Sequence, residues 1–329
     1  MHRYPEQLAG KILDGYRISG AEAERLASIA DSDLVFLFAW ASRLRERFFG
    51  GDISLCSIIN AKSGLCPEDC AFCAQSVHHR TDAPVFPLVE TDKIVESALK
   101  SEGNGSECFG IITSGSGVSG GAELDRICAA VSQIAQRGKI HPSCSLGFIT
   151  DATAARLKEA GVVTYHHNLE TAESFFPNIC TTHDYRDDVE TIRAAKRSGM
   201  KVCSGGVFGL GETMSQRIEM ALLLRELDVD SIPINFLDPV PGSKLQDADF
   251  LTPLKCLRTI ALYRFILPDR KITVCGGRER NLRELQSWIF AAGASGMMTG
   301  DYLTKKGRSP RQDNQLLLDL GLRPAPCSH

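Results

Sequence analysis

The sequence predicts an α/β fold, a (β/α)8 barrel of TIM type with an N-terminal helical extension and a short C-terminal extension. Three observations carry that reading. From residue 52 onward, short β-branched or apolar runs alternate with amphipathic stretches of about 12 to 15 residues, the pattern of repeated βα units and a parallel sheet. Eight such units follow one another, which favours a closed barrel over an open doubly wound sheet. Polar residues and glycines collect at the carboxyl ends of the predicted strands, in Tyr165-His-His-Asn168, Gly205-Gly206 and Pro233-Ile-Asn235, and in a barrel those ends carry the chemistry.

The elements are expected in this order. A helical region over 22–49 places Leu26, Ile29, Leu34, Leu37, Trp40 and Leu44 at helical spacing. Strands are predicted at 53–60, 108–114, 140–146, 163–168, 201–207, 231–237, 271–275 and 296–298, each a short apolar or β-branched run. Helices fall between them at 92–101, 123–137, 152–160, 186–198, 215–227, 253–267 and 282–292. The chain thus divides into a helical extension (1–50), the barrel (51–300) and a C-terminal segment (301–329) whose end, from Pro324, is expected to be loose.

With 329 residues, 43% of them hydrophobic, the chain can bury a large core, and a net charge of -3 argues against a nucleic-acid or membrane-surface partner. The start of the chain has no apolar core of a signal peptide, so a cytoplasmic location is expected. Twelve cysteines in a reducing compartment point to metal ligation or redox chemistry rather than disulfides. Not all need a role: Cys128 and Cys256 lie in helical patterns, and Cys327 lies in the Pro-rich end.

Cys66, Cys70 and Cys73, at C-x3-C-x2-C spacing in Cys66-Pro-Glu-Asp-Cys-Ala-Phe-Cys73, carry the most information. Three thiolates from one short polar loop suit a 4Fe-4S cluster and leave one iron open to a ligand from outside the protein. A structural zinc site would need a fourth Cys or His, commonly from a second paired motif, and no such pair exists in the sequence. Three cysteines packed as small hydrophobes is the remaining alternative, and the polar loop argues against it.

This spacing resembles that of the radical S-adenosylmethionine superfamily, in which the cofactor chelates the open iron and is cleaved to a 5′-deoxyadenosyl radical. Further blocks narrow the resemblance: Asn60-Ala-Lys-Ser-Gly64, Gln75-Ser76, Tyr165-His-His-Asn-Leu-Glu-Thr171, Lys201 to Thr213, Pro233-Ile-Asn-Phe-Leu237 and Gly300-Asp-Tyr-Leu-Thr304. In this order they are similar to the biotin synthase family over nearly the whole chain from about residue 20. The resemblance implies sulfur insertion into dethiobiotin, an auxiliary iron-sulfur cluster that donates the sulfur, a flavodoxin- or ferredoxin-like electron donor, and a homodimer. By the same resemblance Asn168, Glu170, Gly205, Gly206 and His183 bind S-adenosylmethionine. His166, Asn168, Asn235 and Thr304 would receive the substrate, with Lys305 beside Thr304. His183 stands where an arginine often meets the cofactor carboxylate, and a neutral histidine offers one donor without the bidentate fork.

The auxiliary site departs from the family. Its three cysteines and arginine fall on Gly110, Ser143, Cys203 and Thr273, so only Cys203 matches. Residues at i and i±2 share a strand face, so Cys108 stands with Gly110, and Cys275 with Thr273. Cys144 is one residue from Ser143 and faces outward in an ideal strand unless a bulge or strand end turns it. The expected ligands are therefore Cys203, Cys275, Cys108 and Cys144, holding a 2Fe-2S or a four-iron cluster. The opposing reading is that these cysteines fill the barrel without metal. Two other functions compete: a related mutase or metallocofactor maturation enzyme without sulfur insertion, and a non-enzymatic iron-sulfur or zinc sensor. The sensor leaves Asn168, Glu170 and the glycine pair unexplained.

Overall fold

Short apolar runs become strands here because both faces are covered, by helices outside and by side chains within. The computed structural model describes residues 3–118 and 120–326. Its strands are β1 (Asp52–Lys62), β2 (Cys108–Thr113), β3 (His141–Ser145), β4 (Thr164–His166), β5 (Lys201–Cys203), β6 (Gly206–Phe208), β7 (Ser231–Phe236), β8 (Lys271–Val274), β9 (Gly296–Met298) and β10 (Arg323–Pro324). All pair in parallel, and β9 returns to β1 through Ser54↔Gly296 to Cys56↔Met298, which closes the barrel. Eight staves result, because β5 and β6 both pair with β7 and act as one interrupted stave.

The helices are α1 (Arg3–Leu13), α2 (Gly20–Ala27), α3 (Leu34–Phe49), α4 (Thr91–Gly103), α5 (Gly121–Arg137), α6 (Asp151–Ala160), α7 (Tyr185–Arg197), α8 (Met214–Glu226), α9 (Pro253–Ile266), α10 (Arg278–Leu282), α11 (Trp288–Ala291) and α12 (Pro310–Asp319). Reciprocal capping boxes start α2 (Ser19 with Glu22), α8 (Thr213 with Gln216) and α12 (Ser309 with Gln312). Among the described residues no helix is long and apolar enough to cross a membrane.

Four expectations need correction. The region 22–49 is not one helix: it breaks around a 3-10 turn at Asp31–Asp33, where Arg258 of α9 takes the carbonyls of Ala27 and Ile29. The helix expected at 282–292 is interrupted because Arg283 adopts a left-handed φ of 52°. The strand expected at 201–207 is cut at Ser204 and Gly205, where the Asn168 side chain accepts the Gly205 N–H at 3.3 Å and a ladder bond is lost. The described part of the end is held rather than loose: β10 pairs with Asp52 and Ile53, and the Ala325 N–H donates to the Ile53 carbonyl at 2.8 Å. Cys327 lies outside the described residues.

The interruption at Gly205 depends on glycine. A Cβ there would sit 2.1 Å from the Pro233 carbonyl oxygen, and one at Gly206 would sit 2.3 Å from that of Glu170. Gly205→Ala should therefore destabilise the protein by about 1–3 kcal/mol or more, read as a lower urea midpoint at constant slope.

Candidate active site and cysteine layer

At the carboxyl end of the barrel the loop after β1 is folded onto itself. Gly64 and Leu65 turn with φ of 79° and 54°. The Cys66 N–H then donates to the Gln75 carbonyl, the Val77 N–H to the Cys66 carbonyl, and the Cys73 N–H to the Cys70 carbonyl. The Gln75 side chain accepts from Ser63 and Gly64, which explains why Gln75 follows the loop. Burial drives the Cys73 thiol up to about 11, and the charges of Cys66 and Glu170 act in the same direction. A hydrogen bond to Cys180 raises Cys70 further still, with burial adding to it. Thiolates gathered in this way repel one another and are stable only around a positive centre, as a cluster of iron provides. The three residues fit that group.

The two acids inside the motif fasten the loop to the segment after β4. Asp69 accepts from the Thr181 N–H (2.8 Å) and the Thr181 hydroxyl (2.6 Å). Burial opposes its ionisation, yet these bonds hold its carboxyl well below the usual carboxylate range. Glu68 accepts from Ser116, Thr182 and His183. His183 is thus held on both sides, by Glu68 at 2.8 Å on Nδ1 and Asp188 at 3.4 Å on Nε2. Burial would lower its pKa, but hydrogen bonds with Asp188, Cys180 and Glu68 raise it to about 11. Both ring nitrogens of His183 are thus engaged by acidic partners that favour its charged form. Cys180 sits 3.9 Å from Cys70 and 3.3 Å from His183 Nδ1.

Behind the loop opens a cavity of about 570 Å³ that runs down the barrel and is lined by His166, Asn168, Glu170, Asn235 and Thr304. Asn168 donates to the Glu170 carboxylate at 3.2 Å. Glu170 is a non-glycine residue at φ 61°, pinned there because its carbonyl accepts the Val207 N–H at 2.8 Å. Such strain is costly and collects at functional sites. Burial raises the Glu170 carboxyl to about 8, with the charge of Asp188 adding to the effect. Asn235 bridges two staves, donating to the Gly206 carbonyl at 3.2 Å and accepting the Gly276 N–H at 3.0 Å. Lys305 is paired with Asp238 at 2.7 Å at the rim. Gly205 and Gly206 lie close to the carbonyls of Pro233 and Glu170, and that packing by itself requires glycine at both positions.

Deeper in the same cavity lie Cys56, Cys108, Cys203 and Cys275. Cys56 and Cys108 are direct partners across β1 and β2. Their thiols share a hydrogen bond, which lowers Cys56 and raises Cys108. Burial lifts Cys203 to about 12 and Cys275 well above the normal thiol range, and the charge of Cys56 adds to both. Cys56 and Cys203 thus each interact with the other three thiols, and the hydrogen bond within the set joins Cys56 to Cys108. His166, kept neutral by burial at about 4, sits with Nδ1 3.4 Å from the Cys203 sulfur.

Cys144 does not join them. In register it shares its row with Ile111 and Tyr165, all three buried outside the cavity, and burial raises its thiol above the normal range with the charge of Cys128 on α5 adding to it. No bulge turns it, so ideal strand parity prevails over the exception needed to make it a ligand. Cys56 had no assigned role because sequence alone supplies no register between β1 and β2. Four buried thiols around one cavity suit an iron-sulfur cluster as well as the outer triplet does. All the described cysteines are free.

A closed parallel barrel with a three-thiolate loop at its carboxyl mouth defines a radical S-adenosylmethionine enzyme, and residues 62–224 match the model of the radical SAM superfamily. Residues 233–323 match the biotin and thiamin synthesis associated domain. The chain is 62% identical over 328 residues to the biotin synthase of Geobacter sulfurreducens, covering 100% of both chains. It is 61% identical to that of Geotalea uraniireducens, covering 98% of each. The chain belongs to the biotin synthase family, and the cofactors of that family are a 4Fe-4S cluster, S-adenosylmethionine and an auxiliary iron-sulfur cluster. Among solved structures, methylornithine synthase aligns with a TM-score of 0.83 at 19% identity, over 97% of this chain and 98% of that one. The FeFe-hydrogenase maturase HydG from Carboxydothermus hydrogenoformans aligns at 0.79 and 18%, over 99% and 82%. At that identity the two speak for the fold alone.

Proposed function

We propose that the cavity holds dethiobiotin between an outer cluster on Cys66, Cys70 and Cys73 and an auxiliary cluster on Cys56, Cys108, Cys203 and Cys275. The observation that carries this reading is the layer of four thiols directly beneath the pocket of Asn168, Asn235 and Thr304. When bound, the groups supply an electron, a carbon-centred radical that removes hydrogen from unactivated carbon, and the sulfur to be inserted.

The residues of the chain position the reactants. The Asn168 amide and Glu170 carboxylate offer a donor and several acceptors to the ribose diol of S-adenosylmethionine. His183, engaged by Glu68 and Asp188, braces the cysteine loop through Glu68, and the cofactor carboxylate is left to another group. Asn235 orients the ureido ring of the substrate while tying β6 to the end of β8. Thr304 and Lys305 receive its carboxylate at the rim, with Lys305 released from Asp238. His166 stays neutral and supports Cys203. A flavodoxin- or ferredoxin-like protein is the outside electron source this reading needs. Free cysteines throughout the described residues support a reducing, cytoplasmic setting. A homodimer is the assembly that belongs to the same reading.

Anaerobic incubation with dethiobiotin, S-adenosylmethionine and a low-potential reductant should yield biotin. Accumulation of 5′-deoxyadenosine without biotin or a thiolated intermediate would overturn the reading and favour radical chemistry without sulfur insertion.

Glu170 gives a sharper test of the cofactor pocket. Its carboxyl is mostly protonated below about pH 8. A diol donates two hydroxyls, so the bound state favours the carboxylate and binding releases a proton. Affinity for S-adenosylmethionine should rise with pH up to about 8 and level off above it, and Glu170→Gln should weaken binding and flatten the profile. Calorimetric titration in buffers of different ionisation enthalpy measures both; a flat profile in the unmodified protein counts against the assignment.

A further inference from the structure

The cavity continues below the cysteine layer to the amino ends of the staves. Ser54, Glu107, Lys201 and Lys271 line it there. Lys271 opens β8, and its side chain crosses the barrel floor to Glu107, the residue before β2, at 2.6 Å. Glu107 also accepts a hydrogen bond from the Ser54 hydroxyl on β1. The bridge thus spans β8, β1 and β2, the staves that carry Cys275, Cys56 and Cys108, and Lys271 is level in register with Ser231 and through it with Cys203. The Lys271 side chain is 47% exposed, whereas that of Glu107 is 7% exposed. The Lys271 charge favours the thiolates of Cys56 and Cys203, and the charges of Cys56 and Cys108 act back on it. The other acid at this level, Asp230, is turned to the Val202 N–H at 2.8 Å.

A cluster held by four thiolates carries net negative charge, and its burial is costly without a nearby cation. Thr273, on the same face of β8 two residues on, supplies none. We propose that Lys271, supported by Glu107, is the positioning cation of the auxiliary cluster, offsetting its charge from the barrel floor and setting how readily it accepts an electron. This rests on the four-cysteine reading above.

The test uses protein with Cys66, Cys70 and Cys73 changed to Ala, so that the auxiliary cluster is the only one. Reconstituted anaerobically and poised at a fixed reductant potential, the Lys271→Met variant should show about a tenfold lower ratio of reduced to oxidised cluster, since a positive charge near it is lost. Lys271→Arg should keep the parent ratio. Glu107→Gln should shift the ratio the other way, because the cation then stands unopposed, and it decides alone if Lys271→Met fails to hold iron. An unchanged ratio in Glu107→Gln, or in an iron-loaded Lys271→Met, overturns the role of Lys271. A parent protein that holds no iron instead overturns the cluster reading, and this inference with it.

Discussion

Changing Cys56 to Ala in a protein that already lacks Cys66, Cys70 and Cys73 is expected to bring its iron and acid-labile sulfide to near background, while Cys144→Ala in the same background leaves both unchanged. Cys56 pairs with Cys108 in register and its charge acts on Cys108, Cys203 and Cys275. Cys144 is fully buried, and unlike Cys56 it does not line the cavity. Loss of even an outer-shell partner typically costs ~10–100-fold in metal affinity, so loss of a direct thiolate should exceed that. Iron analysis with electronic absorption after anaerobic reconstitution reads the result. Retention of the cluster in the Cys56 variant, or its loss in the Cys144 variant, would restore the set that includes Cys144. Cys144→Ala removes only a small buried side chain, so folding is a lesser concern than for Cys56; Cys56→Ser, nearly isosteric, separates lost ligation from lost packing.

What the sequence made legible follows from which forces are local. Apolar runs and helical periodicity report burial of each segment by itself, so the eight staves and most of their helices could be placed from them. Strand parity is equally local: it put Cys108 and Cys275 toward the axis and Cys144 away from it unless the strand was distorted, and the structure has no distortion there. Register between strands is not local. Cys56 faces Cys108 only because β1 and β2 align at that pair, and nothing within either strand announces it. The same holds for the break in the 201–207 stave, which arises when Asn168 on the neighbouring segment takes the Gly205 N–H. The surroundings of His183 were hidden for a related reason. Its protonation is set by Glu68 in the cysteine loop and Asp188 on α7, partners that only the closed barrel brings together.

Asp313→Ala should be among the most destabilising single changes in the chain, lowering the unfolding free energy by about 3–5 kcal/mol. Arg278 and Asp313 both have 0% of their side chains exposed, and Arg278 Nη2 donates to the two carboxylate oxygens at 3.0 and 2.9 Å. Removing the acid strands a buried guanidinium whose Nε already lacks a partner among the described residues. Arg308, 3.6 Å from Asp313, loses its contact as well. Urea unfolding of the iron-free chain measures the loss, and the double variant Arg278→Met, Asp313→Leu should recover much of it, because apolar residues of similar volume leave no charge to compensate. The pair also bears on the site. Asp313 lies in the first turn of α12, and the segment before that helix holds Thr304 over the cavity, tied down where Tyr302 and the Arg308 N–H donate to Glu279. If this tie fixes the roof, the surviving Asp313→Ala protein should show a raised KM for dethiobiotin with kcat nearly unchanged. A fall in kcat alone would place the damage at the cysteine layer, since Arg278 also acts on Cys275.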